Sequence, residues 1–220
     1  MPASSVDALI TDPPYASGGP TAAVRQQAPA VKYSSKKPST LHHDFSGDHH
    51  DQRSHLRWLV LWLSECCRIL KPGAAVCLFS DWRQLPLTTD ALQMAGFTWR
   101  GIAVWDKTES VRPQLGRFRS QCEYIVWGSQ GDMPLKRDVG VLPGVVRQVI
   151  KPADKFHLTG KPVAVMRHIN QICRPGGLIL DPFAGSGSTL VAAQMDNYPW
   201  IGCELSAHYH QIALERVQAL

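Results

Sequence analysis

No apolar run in this chain reaches the ~18 residues that a membrane-spanning helix needs, and its first residues lack the charged-then-apolar order of a secretory leader. A membrane partner is therefore not expected, and a cytoplasmic protein is. The six cysteines (Cys66, Cys67, Cys77, Cys122, Cys173 and Cys203) include no Cys-x-x-Cys pair. Most sit in apolar runs, so they read as reduced core residues. A large excess of one charge is absent as well, with 23 Lys and Arg against 18 Asp and Glu. A net charge of +5 is compatible with a nucleic-acid partner without demanding one. What remains is a chain of 220 residues, enough to bury one full core.

Against this plain background one stretch is chemically unusual. The apolar run Val6 to Ile10 predicts a short buried strand, and Thr11-Asp12-Pro13-Pro14-Tyr15 follows it. The prolines fix φ near −65° and remove two N–H donors. A carboxylate and bare carbonyls remain, all of them acceptors, beside an aromatic face. That set suits the exocyclic –NH2 of a flat ring: Asp12 and a proline carbonyl take the two N–H bonds, and Tyr15 stacks. Asp-Pro-Pro is also good turn chemistry by itself, so this stretch alone leaves both readings open.

A polar segment runs from about Ala16 to Arg53, with no helical or strand period. A loop this long in a compact domain is usually functional or disordered. It could be a flap over substrate, with Lys32, Lys36 and Lys37 near phosphates, or a solvated insertion. His42-His43-Asp44 and His49-His50-Asp51 lie in it. They lack the fixed spacing of a metal site, and no metal is expected. Leu56, Leu59, Val60, Leu63, Cys67 and Leu70 then mark an amphipathic helix, stopped by Lys71-Pro72-Gly73. Strands are expected at Val76–Phe79, Phe97–Trp105, Glu123–Trp127, Leu178–Leu180 and Trp200–Cys203. Helices are expected at Pro86–Ala95, Pro162–Arg174, Gly187–Met195 and Ser206–Val217, the last capped by Ser206. Arg112, Arg117 and Arg119 lie in a loop between two of these strands, either solvated or set against nucleic-acid phosphates. The segment from Gly128 to His157 reads as loops with at most one short hairpin.

One unit occurs twice. Arg68-Ile69-Leu70-Lys71-Pro72-Gly73 leads to a strand ending at Asp81, and Ile172-Cys173-Arg174-Pro175-Gly176-Gly177 to a strand ending at Asp181. Alternating units of this kind build a doubly wound α/β sheet. Ligands there bind at the carboxyl ends of the strands, where Asp12, Asp81 and Asp181 would gather.

Asp181-Pro182-Phe183-Ala184-Gly185-Ser186-Gly187 follows a strand and opens a helix. The glycines allow a tight turn and close approach of a ligand to the backbone, and the helix start offers free N–H groups. About twenty residues on, Glu204 stands where an acidic residue bonds ribose hydroxyls. The pattern is not G-x-G-x-x-G, because Leu190 holds the third position. Asp181 would repel a pyrophosphate but suits an amino group, so a nucleoside with an amino-acid tail fits better than a dinucleotide. S-adenosyl-L-methionine is such a ligand.

The motifs Asp12-Pro13-Pro14-Tyr15 and Asp181-Pro182-Phe183-Ala184-Gly185-Ser186-Gly187, in this order, resemble the permuted β class of amino-group DNA methyltransferases. His157-Leu158-Thr159-Gly160-Lys161-Pro162 resembles the segment of that class which holds the methionine end. Ile201-Gly202-Cys203-Glu204-Leu205 resembles its ribose-binding strand, and Gln121-Cys122-Glu123-Tyr124-Ile125-Val126-Trp127 a late strand beside the base pocket. The resemblance spans nearly the whole chain. It implies a mostly parallel, Rossmann-like methyltransferase sheet in a single domain, residues 1–220. It also implies methyl transfer to a flipped base of double-stranded DNA, as in restriction-modification systems, in a bacterial or phage-infected cell.

By the same resemblance, Asp12, Pro13, Pro14 and Tyr15 are catalytic. Asp181, Phe183, Ala184, Gly185, Ser186, Gly187, Glu204, Thr159 and Lys161 bind cofactor. Lys32, Lys36, Lys37, Arg112, Arg117 and Arg119 are candidates for DNA contact. Adenine N6 is favoured, because Ser commonly replaces the Asp in related cytosine enzymes. Cytosine N4 is the alternative, and an inactive truncated copy that only binds DNA or cofactor is another. Family members usually carry a further short strand with a Gly-Asp pair before the catalytic strand, so either the true start lies upstream of Met1 or an edge strand is missing here. Gly128–His157 is too short for a separate target-recognition domain, which implies short or relaxed specificity. A homodimer is compatible with all of this.

Overall fold

The computed structural model describes residues 1–16, 51–113, 115–150 and 160–220. The elements are β1 (Val6–Thr11), α1 (Gln52–Ile69), β2 (Leu70–Ser80), α2 (Leu85–Met94), β3 (Thr98–Asp106), β4 (Cys122–Ser129), β5 (Val145–Arg147), α3 (Val163–Asn170), β6 (Ile179–Asp181), α4 (Ser188–Met195), β7 (Trp200–Gly202) and α5 (Ala207–Gln218). The strands form one seven-stranded sheet in the order β5-β3-β4-β2-β1-β6-β7. β1 is parallel to β2 and β6, β6 to β7, and β3 to β5, while β4 runs against both its neighbours. The expected α/β sheet, mostly parallel and doubly wound, is what the chain forms.

Burial explains why β1 sits at the centre. All six of its residues are buried. A strand covered on both faces can be apolar throughout, as parallel strands are. Its neighbour β2 alternates between two cores. Val76 and Leu78 pack with Leu59, Leu63 and Leu92 of α1 and α2. Cys77 and Phe79 pack with Val165, Met166 and Ala192 of α3 and α4 on the other face. The period of two along β2 thus serves two helical layers at once.

Several boundaries differ from expectation for local reasons. β2 starts directly where α1 ends, because Leu70 already pairs with Val6 across the sheet. α3 stops at Asn170; Ile172 and Cys173 then donate to Ile169 and Asn170 in tighter turns ahead of Pro175. No hairpin forms between Gly128 and the end of the described part of that segment. The one strand there, β5, instead joins β3 in parallel. The cysteines also divide. Cys66, Cys77 and Cys173 are buried, with burial pushing each thiol up to about 12, but Cys203 is exposed. All six are free thiols.

Gly128 is where β3 and β4 press closest. A Cβ built there would stand 2.4 Å from the Thr98 carbonyl oxygen, a backbone atom that cannot swing aside. Gly128→Ala is expected to cost roughly 1–3 kcal/mol and several degrees of Tm. A thermal melt checks it. A shift below about 1 °C would mean the two strands part easily.

Candidate active site

Every strand but β4 runs the same way, so their carboxyl ends share one edge of the sheet. Asp12 directly follows β1, Asp81 follows β2, Lys107 follows β3, Asp181 closes β6, and Glu204 lies just past β7. Glu123 reaches the same edge from the start of β4, which runs the opposite way. The topology therefore collects the acidic residues that the sequence spreads over some 190 positions.

Around Asp12 the charges alternate. Tyr15 Oη donates to Asp12 Oδ1 at 2.5 Å, and Lys161 Nζ donates to Asp12 Oδ2 at 2.5 Å. Lys161 Nζ also lies 3.2 Å from Glu123 Oε2, and Lys107 Nζ donates to Glu123 Oε1 at 2.9 Å. Tyr15 Oη is 3.5 Å from Glu123 Oε2. The Lys161 ammonium lies over two rings, 5.4 Å from the Tyr15 centroid and 5.3 Å from that of Phe79. Only 5% of the Lys161 side chain is exposed, which is rare for a lysine unless it is paired. Burial pulls its pKa down, but the Asp12 and Glu123 carboxylates outweigh burial and hold it above the usual lysine value. Burial pushes the Asp12 carboxyl up, and the neighbouring Lys161 offsets that only in part. Glu123 has two ammonium partners; they overcome its burial and hold its carboxyl below the ordinary range.

One strand away lies the glycine-rich turn. Gly187 has φ +82°, and a Cβ there would stand 2.8 Å from the Ala213 Cβ of α5, so the turn needs glycine on both counts. Arg216 Nη1 pins the turn from outside by donating to the Ser186 carbonyl at 2.5 Å. Asp181 is buried, and its Oδ1 accepts from Thr11 Oγ1 at 2.5 Å and from the Phe183 amide at 3.0 Å. Burial dominates these bonds and pushes the Asp181 carboxyl up to about 6. Glu204 holds the other side of the turn, with its two oxygens accepting from the Gly185 and Ser206 amides at 2.8 Å each. An aromatic cluster adjoins the turn. Phe183 lies 5.4 Å from the Trp58 ring and 5.0 Å from the Trp62 ring, both on α1. The Trp62 Nε1 donor is buried with no partner among the described residues.

The structure thus brings Asp12 and Tyr15 together, and Asp181, Phe183, Gly185, Gly187 and Glu204 together, with Thr11 as the link. Pro13 is buried and Pro14 half-buried beside Asp12. Ala184 and Ser186 are buried within the glycine turn. Lys161 stands with the first group, against Asp12, although it was expected at the cofactor. Thr159, Lys32, Lys36 and Lys37 lie outside the described residues, as do all four histidines of the two His-His-Asp strings. Asp51 of the second string caps α1, accepting from the Arg53 and Ser54 amides. Arg112, Arg117 and Arg119 are exposed in the β3–β4 loop at the same edge. Arg119 Nη1 donates to the Glu109 and Val111 carbonyls and so braces that loop.

Sequence reasoning passed over Glu123, Lys107, Trp58 and Trp62 as individual residues. A signal existed for Glu123, a carboxylate leading into the apolar strand Tyr124–Trp127. The tryptophans were hidden inside an ordinary helical period.

Comparison with known proteins agrees with this geometry. The family model for DNA methylases of the N6/N4 type matches residues 6–215. YubD of Escherichia coli (strain K12) is 30% identical over 221 residues, covering 100% of this chain and 85% of that protein. The type II methyltransferase M.HindIII of Haemophilus influenzae is 24% identical, covering 73% of this chain and 68% of its own. Among solved structures, the M1.HpyAVI–SAM complex superposes with TM-score 0.70 at 21% identity, covering 97% of this chain and 89% of that one. The cytosine-N4-specific PvuII DNA methyltransferase superposes with TM-score 0.72 at 16% identity, covering 98% and 80%.

Proposed function

This chain belongs to the N6/N4 DNA methylase family, and from that premise we propose that it methylates adenine N6 in double-stranded DNA, with Asp12 as the principal acceptor for the target amino group. Adenine is favoured because Asp12 opens a motif in which Ser is common in the related cytosine enzymes, and one observation carries the methyl transfer itself. Thr11, the residue before Asp12, donates through its hydroxyl to Asp181 at 2.5 Å. The acceptor corner and the glycine turn are thereby held side by side, as a donor of methyl and an amino group must be.

The glycine turn fits S-adenosylmethionine. The Asp181 carboxylate is buried with an oxygen still able to accept, which suits the ammonium of the methionine tail. Each Glu204 oxygen accepts one backbone N–H, and a carboxylate has about four lone-pair sites, so ribose hydroxyls can still bond there. Phe183, Trp58 and Trp62 offer aromatic faces, and the Trp62 indole, without a partner among the described residues, offers a donor. S-adenosylmethionine supplies an electrophilic methyl on sulfur.

The amino group of adenine is a poor nucleophile, because its lone pair is spread into the ring. Asp12 and the Pro13 carbonyl accept its two N–H bonds and favour a pyramidal nitrogen with the lone pair free to point at the methyl. This is positioning and electrostatics with no covalent intermediate on the protein. The target base must leave the duplex at a cost of a few kcal/mol. Stacking on Tyr15 returns about 1–3 kcal/mol of that. Arg112 and Arg117, exposed at the active edge, are placed to meet the phosphates of DNA.

The test is transfer of labelled methyl from S-adenosylmethionine to unmethylated DNA, followed by nucleoside mass spectrometry. Label in N6-methyladenine is the expected result. Label in N4-methylcytosine would keep the mechanism and overturn the base. No label in either would overturn the reading.

A further inference from the structure

We infer that Lys161 and Glu123 are positioning residues of the base pocket: together they aim and charge-balance the Asp12 carboxylate. The inference rests on the reading of Asp12 above. It departs from the expectation that Lys161 serves the cofactor.

Asp12 and Glu123 are two carboxylates at one end of the pocket. Lys161 sits between them, 2.5 Å from Asp12 Oδ2 and 3.2 Å from Glu123 Oε2, and Lys107 closes the series 2.9 Å from Glu123 Oε1. Two anions alternate with two cations, so the set is neutral as a whole. A buried carboxylate that must stay ionised to accept from an amino group needs such a partner. Lys161 meets that need for Asp12. Glu123 in turn gives Lys161 a reason to stay put, since its position is fixed from a third strand by Lys107.

The geometry also fixes aim. With Lys161 on Oδ2 and Tyr15 Oη on Oδ1, the carboxylate plane of Asp12 cannot rotate freely. Each oxygen keeps a second lone pair for the incoming amino group. The ammonium is wedged over the Tyr15 and Phe79 rings, which holds it in place by cation–π attraction. Such a chain of bonds places the acceptor before substrate arrives, and preorganisation of this kind is where electrostatic catalysis gains most.

The signs of the interactions separate this role from mere packing. Among the described residues, the ionisable groups facing Asp12 are Lys161, Glu123, Tyr15 and Asp181, with Lys107 behind Glu123 and Asp81 facing Tyr15. Lys161 favours the ionised form of Asp12, whereas Glu123 opposes it. Removing the two charges must therefore move Asp12 in opposite directions.

The experiment measures kcat and kcat/KM against pH for wild type, Lys161→Met and Glu123→Gln, alongside cofactor affinity by calorimetry. Lys161→Met is expected to lower kcat by about 10²-fold and to move the acid limb of the profile to higher pH. Its cofactor affinity should stay within about threefold of wild type. Glu123→Gln should lose less activity and move the acid limb to lower pH. Lys161→Arg, which keeps the charge, should recover part of the Lys161→Met loss. Limbs that do not move, or that move the same way in both variants, would overturn the inference. So would a Lys161→Met protein whose only defect is cofactor binding. Wild-type protein inactive on DNA would instead overturn the reading of the function itself, so the two failures are distinguishable.

Discussion

Replacing Asp12 by alanine is expected to lower methyl transfer by about 10³-fold or more while leaving cofactor affinity within about threefold of wild type. The separation follows from how the two halves of the site are built. Asp12 bonds to Tyr15 and Lys161, and Asp181 bonds to Thr11 and Phe183; no side chain is shared between the two sets. Groups without shared partners usually change independently, and the direct coupling between the sets, the Asp12 charge acting on Asp181, ranks behind burial and the Thr11, Thr189 and Phe183 bonds. Truncating Asp12 removes the charged acceptor for the target amino group but leaves the glycine turn intact. It also leaves Lys161 paired with Glu123, so no bare cation is stranded in the pocket. The protein should therefore still fold, and loss of activity should not be loss of structure. Asp12→Asn is the sharper version. It keeps an acceptor oxygen and the side-chain volume but not the charge. An intermediate loss, near 10²-fold, would show that charge and geometry both contribute. Labelled methyl transfer and a cofactor titration on the same preparation check both halves. Equal loss of transfer and of cofactor binding would sink the division of labour.

Those two halves were legible in the sequence to different degrees. Asp12 and Asp181 could be found because each ends an apolar run and begins a turn rich in proline or glycine. A local change of period, from buried strand to broken backbone, is a signal a single sequence carries. The central strands were legible for the same reason, since Val6 to Ile10 has no polar residue but Asp7. That aspartate depends on partners that its local sequence does not reveal. It is buried at the start of β1, yet Lys71, Arg174 and the Leu178 amide all bond to it, two of them from more than 160 positions away. The pairing of Glu123 with Lys161 was hidden in the same way. What makes them a unit is a pairing across strands, and neither local propensity nor spacing encodes which lysine meets which carboxylate. β5 was missed because three residues carry almost no period. It exists because Val104, Trp105 and Asp106 of β3 present an edge for it to pair with.

The second large effect is expected at Asp181, where function and stability should move in opposite directions. Burial pushes this carboxyl up to about 6 from an ordinary 3.8, so the folded protein holds a proton there that the unfolded chain gives up. A group with a raised folded pKa contributes stability that is fully present below the unfolded value and lost as pH rises through the folded one. Between about pH 4 and pH 7 the protein without cofactor should lose stability on the order of 2–3 kcal/mol from this residue. Asp181→Asn cannot ionise. Its remaining oxygen can still accept from Thr11 and Phe183, as Asp181 Oδ1 does. At pH 7 the variant should melt higher than wild type in the absence of cofactor. Binding should show the reverse. The ammonium of the methionine tail favours the ionised carboxylate, so wild-type affinity should rise up to about tenfold per pH unit between pH 5 and 6 and level off near pH 7. The variant, with no charge to gain, should bind about 10-fold more weakly at pH 7 and show little pH dependence. Near pH 5, where wild-type Asp181 is mostly protonated, the two affinities should converge. Melts and cofactor titrations at pH 5, 6 and 7 decide it. A variant that is both less stable and uniformly weaker would make Asp181 a structural residue of the turn. Higher stability together with a pH-dependent loss of affinity would identify a site that keeps a costly buried charge because its ligand carries the opposite one.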